Sequence, residues 1–309
     1  ITNGNAIPLN AFSSQSGGGI LVENVTNFNL LNSVLYSNKA NTGGGISTDS
    51  VNNVLISFSD ISFNLITDGN TNADGAAIYH NSTGQMKIQN SFIHNNFKDA
   101  TVPQCRNAII NRNTDDDMYV FSSTISHNSG IGNTCMDGIY AQNGNLYLVN
   151  TTIIGNGNVG ISFFDSPPNN YNLFVRNSII ADNANKDCDV STGIINFGDI
   201  YGGHNLISDL SCTIFTTTGN LLNTNPQLSV AKSIFPTTGF LFNYYEPLFN
   251  SPAIDQGSNL PVNVGNPNAC QMYDQLFRVR PIDGNGDGNA ICDIGAVEYL
   301  DLIFKNGFQ

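Results

Sequence analysis

The stretch IQNSFIHNN, residues 88–96, decides the fold, because five further stretches of the chain align with it without gaps. These are LLNSVLYSN (30–38), ISFSDISFN (56–64), VFSSTISHN (120–128), LVNTTIIGN (148–156) and VRNSIIADN (175–183). Successive stretches end 26, 32, 32, 28 and 27 residues apart. Self-similarity with a period of roughly 20–50 residues is the sequence signature of a repeat protein.

Four columns of this alignment hold one residue type or its close equivalents. Aliphatic residues fill the first and sixth positions, Ser or Thr fills the fourth, and Asn closes each stretch. The closing residues are Asn38, Asn64, Asn96, Asn128, Asn156 and Asn183. If the repeats stack as parallel coils, the aliphatic columns form a continuous core and the Ser/Thr column fits tight interior corners. Asn tolerates left-handed turn angles, and its amide can bond to the Asn above and below. We therefore predict an asparagine ladder.

A second strand precedes each stretch and is marked by a small residue before Ile. In four repeats the marker lies 18 residues before the closing Asn, at Ile20, Ile46, Ile78 and Ile110. Short β-branched runs separated by Gly, Asn and Asp are typical of strands and turns. The predicted fold is all-β, a right-handed parallel β-helix of about 6–8 coils. We assign residues 1–215 to the coils and 216–309, where Pro is frequent, to an irregular capping segment packed on them.

Composition limits the partners. Acidic residues outnumber basic ones by 24 to 11 and the net charge is -13, whereas nucleic-acid binding needs clustered Lys and Arg. We therefore expect no nucleic-acid partner. Nor does any apolar run approach the roughly 20 residues of a membrane span.

The chain contains six Cys and no C-x-x-C pair. An even count in a polar, acidic chain favours disulfides and an oxidising compartment, although scattered buried thiols are an alternative. Cys105 and Cys135 lie 30 residues apart, about one coil, and each shortly precedes a strand marker. They should therefore stack within bridging distance. Pairing of sequence neighbours is predicted throughout: Cys105–Cys135, Cys188–Cys212 and Cys270–Cys292.

The last third of the chain contains six short motifs whose order is informative. They are GGHNLISD (202–209), NPQL (225–228), SPAIDQGS (251–258), DQ (274–275), RP (280–281) and CDIGAVEY (292–299). Together they resemble bacterial surface β-helix proteins with a choice-of-anchor Q domain, over residues 200–300 or so. The resemblance implies a secreted or surface-attached bacterial protein, and it implies no general catalytic mechanism.

The run DGNGDGNAICDIGAVE, residues 283–298, is a candidate calcium site. Oxygen-bearing side chains alternate with Gly, as Ca²⁺ ligands do in tight loops. A complete EF-hand is excluded, because Ile294 stands where its final Glu would be. The alternative is an acidic surface turn held by a Cys270–Cys292 bridge. The candidate ligands of Ca²⁺ are Asp283, Asn285, Asp287, Asn289 and Asp293.

Outward positions of the aligned stretches suggest a face for glycan binding. Tyr36, Phe63, His94 and His127 should lie outside the coils, where aromatic and polar side chains stack on sugars and bond to hydroxyls. Ordinary solvent-facing residues are the alternative. No catalytic residues are assigned, since the acidic run NTDDD (113–117) lacks the companions of a carboxylate catalytic cluster and fits a solvated turn.

The sequence thus favours a secreted or cell-surface structural or adhesive protein. It would present a long polar face to polysaccharide or to other surface proteins, and it could assemble through open solenoid ends. The alternative is a polysaccharide lyase or glycoside hydrolase acting in an outer-face groove. A groove with two or more carboxylates, or with Arg or Lys beside an acid, would favour that alternative.

Overall fold

The computed structural model describes most of the chain, namely residues 16–67, 73–82, 84–100, 102, 104–112, 116–131, 135–142, 144–164, 171–191, 202–213, 215, 218–234, 242–260 and 269–300. Every regular element among these residues is a β-strand. The strands of successive coils pair in parallel, in register. The predicted class, an all-β parallel solenoid, is confirmed.

Each coil supplies strands to three long faces. The first face contains Ile78–Asn81, Arg106–Asn111, Met136–Gln142, Val159–Phe164 and Lys186–Val190. The second contains Gln85–Gln89, Asp116–Phe121, Gly144–Val149, Leu173–Arg176 and Gly202–Gly203. Two longer strands, Ile20–Leu31 and Ile46–Ser57, run through both faces and join them into a 12-stranded sheet.

The third face is a separate parallel sheet of 7 strands: Val34–Tyr36, Asp60–Ser62, Phe92–His94, Thr124–Ser126, Thr152–Ile154, Ile179–Ala181 and Leu206–Ile207. A short sheet follows it, formed by Lys39–Ala40, Leu65–Ile66, Phe97–Lys98 and Ser129–Gly130. One antiparallel hairpin, Lys232–Ile234 with Phe242–Tyr244, lies outside the coils. The aliphatic columns of the repeat fill the bore as buried stacks.

The asparagine ladder forms as predicted. From Asn38 to Asn156, each side-chain Nδ2 donates to Oδ1 of the next Asn at 2.9 or 3.0 Å. The backbone N–H of each donates to the same oxygen. Asn183 ends the ladder by donating to Oδ1 of Asp187 at 2.9 Å.

The left-handed turn angle predicted for these Asn residues is wrong by one position. The preceding residue adopts it: Ser37, Phe63, Asn95, His127, Gly155 and Asp182 have φ between 51° and 66°. The ladder Asn points into the coil, where its side chain reaches the amide of the next Asn. The residue before it makes the turn and therefore adopts the left-handed angle. A bulky Phe63 in this conformation is unusual and carries backbone strain.

The Ser/Thr column forms a second ladder. The backbone N–H of Ser33 donates to Oγ of Ser59, and the pattern recurs along the stack at 2.9–3.2 Å. It ends on the side chains of Asn205 and Asn220. Coil-type pairing therefore reaches Leu221, which bridges Leu206 in parallel, so it extends past residue 215.

One strand marker is displaced by a residue. Ile109, and not Ile110, pairs with Ile78 and with Ile139. Because side chains alternate between the two sides of a strand, a shift of one residue exchanges the inside for the outside. Ile109 therefore enters the bore, and Ile110 lies on the outer side of the first face.

All three predicted disulfides are present. The Cα–Cα distances are 4.8 Å for Cys105–Cys135, 5.1 Å for Cys188–Cys212 and 6.6 Å for Cys270–Cys292. The first joins adjacent coils, because Arg106 and Met136, the residues that follow its two cysteines, are register partners.

The C-terminal segment packs along the side of the coils. It follows one column of left-handed corner residues: Asn90, Ser122, Asn150, Asn177 and His204. Tyr273 O accepts from Ser122 Oγ at 2.8 Å. Gln256 O lies 3.0 Å from Nδ1 of His204, on the last coils. The segment therefore ties several coils together.

We predict that Asn96→Ala lowers the free energy of unfolding by about 2–3 kcal/mol, because it leaves buried donors and acceptors without partners. Asn53→Ala is the matched control. Asn53 donates to Asn27 across an exposed strand pair, so its loss should cost less than about 0.5 kcal/mol. Denaturant unfolding of both variants measures the difference, and equal losses would contradict a ladder that stabilises the coils.

We also predict a pH effect from His80, which is buried in the bore with Nδ1 2.6 Å from Oγ1 of Thr48. Burial lowers the pKa of His80 from 6.5 to about 4. Below pH 6.5 the imidazole of His80 is therefore protonated in the unfolded chain but stays neutral in the folded chain. The folded state loses stability as the pH falls from 6.5 towards 4. His80→Gln should lack this loss of up to about 1.4 kcal/mol per pH unit. Urea titrations of both proteins across this range test it, and parallel curves would exclude it.

Candidate functional site

The outer side of the first face carries a long groove. Two clefts of about 420 Å³ and 360 Å³ adjoin, and both are lined by Arg112. Their linings run from Leu21 and Glu23 on the first described strand to Lys186 and Asp189 on the last. Seven strands at a spacing of ~4.8 Å give this groove a length of roughly 29 Å along the solenoid axis.

Arg112 and Asp74 form the middle of the groove. Nη2 of Arg112 lies 3.6 Å from Oδ2 of Asp74, and the Arg112 side chain is 38% exposed. The carboxylate of Asp74 also accepts from Gly75 N at 2.9 Å and from Asn107 N at 3.0 Å. Burial raises the pKa of Asp74 against the effect of these donors.

Asp137 lies on the strand Met136–Gln142, which pairs with the strand that precedes Arg112. Its carboxylate is also hydrogen-bonded by the coils. It accepts from Asn158 Nδ2 at 2.6 Å, from Val159 N at 3.2 Å and from Ser162 Oγ at 2.7 Å. Burial raises the pKa of Asp137, and the charge of Asp189 adds to this. Asp189 itself pairs with Lys186 at 2.9 Å, where both side chains are partly exposed.

Aromatic side chains lie between the charged groups. The rings of Tyr140 and Phe164 have centroids 5.5 Å apart in the larger cleft. Tyr79 lines the smaller one, with the Arg112 guanidinium 5.8 Å from its ring centre. Aromatic faces with hydrogen-bonding groups around them suit ligands that carry both C–H faces and hydroxyls.

The groove also has features of a catalytic site, since it contains two acids with raised pKa, one of which, Asp74, lies beside Arg112. The bonding of these acids opposes that role. Each carboxylate already accepts three or more hydrogen bonds from the coils. Such bonds fix the backbone of neighbouring coils, and they leave little capacity for proton transfer to a ligand. The arrangement therefore suits binding better than catalysis.

The predicted glycan-binding residues are brought together only in part. Tyr36 and Phe63 are exposed, with ring centroids 5.2 Å apart. His127 stacks on Tyr245, whose hydroxyl lies 2.8 Å from Nδ1. The exposure predicted for His94 is wrong: only 4% of the residue is accessible. Nε2 of His94 lies 3.1 Å from Asp60 Oδ2, with the Phe63 ring edge-on beside it and the C-terminal hairpin strand Phe242–Tyr244 against its strand.

The structure places four of the predicted calcium ligands, Asp283, Asn285, Asp287 and Asn289, in one accessible loop. Asp283 accepts from Gly286 N and Gly288 N, while Asn285 and Asp287 accept from N–H groups two residues further on. Asp293 is fully buried and accepts from the N–H groups of Asp255 and Tyr299. Within the described part of the chain, no three His, Cys, Asp or Glu residues are grouped so as to hold a metal. The calcium site stays a prediction.

The motif residues of the last third hold the C-terminal segment in place. Arg280 is buried and bonds to Glu298 and, at 2.9 Å, to Gly295 O. Burial and the neighbouring Glu298 raise the pKa of Asp293. Asp274 Oδ2 accepts from Arg278 Nε at 2.7 Å and from Glu298 N at 3.1 Å.

The DQ motif reaches the coils. Gln275 accepts from Thr124 Oγ1 at 2.6 Å and donates to Ser91 O at 2.9 Å. The conspicuous acidic and polar residues of this region thus have structural partners.

Sequence reasoning missed the groove. Its residues lie on first-face strands or in the segments next to them, where outward positions differ from coil to coil and form no column. One pattern could have found part of it: the residue after the markers Ile78 and Ile139 points outward, and in both coils that residue is a tyrosine, Tyr79 or Tyr140.

Comparison with protein-family models, with curated proteins and with solved structures finds no match to this chain. The three disulfides fit an oxidising, extracellular environment. No helix long and apolar enough to cross a bilayer occurs among the described residues.

We predict that Arg280→Met lowers the free energy of unfolding by about 3–5 kcal/mol, because it leaves buried carboxylates without their counter-charge. Lys186→Met is the control. Lys186 is 36% exposed and pairs with Asp189, which is 41% exposed, so its loss should cost about 1 kcal/mol or less. Chemical denaturation compares the two, and equal effects would show that the Arg280 cluster does not anchor the segment.

Proposed function

We propose that this protein is a secreted β-helix that binds glycans through the groove of its first face, without catalysis. The carrying observation is the pair of adjoining clefts that share Arg112 and cross all the described strands of that face. A groove of this length suits a polymer better than a small molecule, which would be enclosed on most sides.

The chemistry of the lining supports a sugar ligand. Tyr79, Tyr140 and Phe164 provide aromatic surface, and Arg112, Lys186 and Asp189 keep partly exposed polar ends. Paired charged side chains can donate to one hydroxyl and accept from its neighbour. The solenoid fixes their spacing, so binding orders few side chains.

The cellular context of the proposal comes from the sequence. The motifs of residues 202–299 resemble surface proteins of bacteria, and three disulfides suit an extracellular site. We propose a role at the bacterial surface in adhesion to polysaccharide or as a scaffold. Assembly through the solenoid ends belongs to the same proposal.

A lyase or hydrolase is the second candidate. It is favoured by one observation, the two acids with raised pKa, Asp74 and Asp137, that line the cleft with Arg112. It requires one of them to exchange its structural hydrogen bonds for contact with substrate.

A glycan array with the full chain is expected to show retention of polysaccharides, since the groove offers stacking and hydrogen bonding along its length. Tyr140→Ala should weaken binding roughly tenfold by removing one aromatic face. Tyr36→Ala, at the other aromatic surface, should leave it unchanged. A loss with Tyr36→Ala alone would move the site to the third-face corner. Release of reducing ends or unsaturated products from a bound glycan would establish the enzyme instead.

A further inference from the structure

We infer that the groove selects a linear, uncharged polysaccharide lying along the solenoid axis, in preference to a polyanionic one. This inference rests on the proposed function and specifies the chemical class of its ligand.

The first argument is charge balance in the larger cleft. Its lining contains three basic residues, Arg106, Arg112 and Lys186, and three acidic ones, Asp74, Asp137 and Asp189. Two of the basic groups face acids directly, Arg112 at 3.6 Å from Asp74 and Lys186 at 2.9 Å from Asp189. A uronate or sulfate in this cleft would have to compete with an existing carboxylate for either of these two cations.

The second argument is the charge around that cleft. The smaller cleft adds Glu23 and Asp49, which are register partners on adjacent strands and are both exposed. Its lining contains one basic residue, the shared Arg112. With a net charge of -13 for the chain, the long-range field repels polyanions and slows their association.

The third argument is shape. The groove crosses successive strands, so a ligand along it meets one new strand every ~4.8 Å. That spacing is close to the length of one hexose unit in an extended chain. The aromatic positions recur along the same direction, with Tyr79 in one coil and Tyr140 and Phe164 in two later, adjacent ones. A linear chain of sugar rings can therefore stack at several points.

The test uses one polymer in two charge states. Fully methyl-esterified polygalacturonate and its de-esterified form share a backbone and differ in charge. Neutral glucan, mannan and galactan complete the panel, and affinity electrophoresis or calorimetry measures binding by the full chain at low and high salt.

We expect the neutral forms to bind, with an affinity that salt hardly changes and that Tyr140→Ala lowers roughly tenfold. The de-esterified polymer should bind at least about tenfold more weakly than its ester. Preference for the de-esterified form, weakened by salt, would overturn the inference and leave the proposed function standing. Failure of every polymer to bind would overturn both.

A charge-reversal variant gives an independent measurement. Glu23→Lys with Asp49→Lys replaces two exposed acids of the smaller cleft, and folding is checked by circular dichroism and thermal unfolding. This variant should gain affinity for the de-esterified polymer while retaining the neutral ones. No gain would show that charge in the groove does not set the selectivity.

Discussion

Equivalent side chains lie one coil apart along the whole solenoid, and the amide ladder at the inner corner is the interaction that requires it. At this corner the chain turns from the third face into the short sheet. Each Asn fills the position with two donors and an acceptor, and its Oδ1 receives both the side chain and the backbone N–H of the Asn before it. Such bonds demand close alignment of the corners. Coil length varies from 26 to 32 residues without disturbing them, because the additional residues lie in the connections between the aligned stretches.

This constraint explains what the sequence could predict. Where equivalent residues of successive coils contact one another, the residue type must stay the same. The Asn column, the aliphatic columns and the Cys pair one coil apart were therefore visible in the sequence. Corner residues before the ladder share a backbone angle and no side-chain type: Ser37, Phe63 and Gly155 occupy the same position. That position therefore left no pattern, and the left-handed angle was assigned to the wrong residue. The groove was missed for a related reason, since outward side chains of the first face need not resemble their neighbours.

The C-terminal segment packs against a different corner of the coil, where the chain turns from the second face to the third. Corner residues in the left-handed conformation project their side chains outward. Five of them bond to the segment: Asn90, Ser122, Asn150, Asn177 and His204. The same geometry that turns the chain thus provides a row of polar anchors. The segment pairs with the coils mainly through these anchors and turns, so its own order depends on a buried network around Arg280. This explains why Arg280, Asp293 and Glu298 of these motifs bond within the protein.

In the glycan-binding function that we propose, structural and binding roles divide between two sets of groove residues. Asp74 and Asp137 accept hydrogen bonds from N–H and O–H groups of adjacent coils, so they shape the floor of the groove and are held rigid. The side chains that remain partly exposed, Arg112, Lys186 and Asp189, stand on that floor in fixed positions. Because these side chains are already held in place, binding a ligand costs the protein little conformational entropy. Because each coil adds its own contacts, affinity for a polymer can accumulate from weak individual sites, which a single compact pocket could not provide.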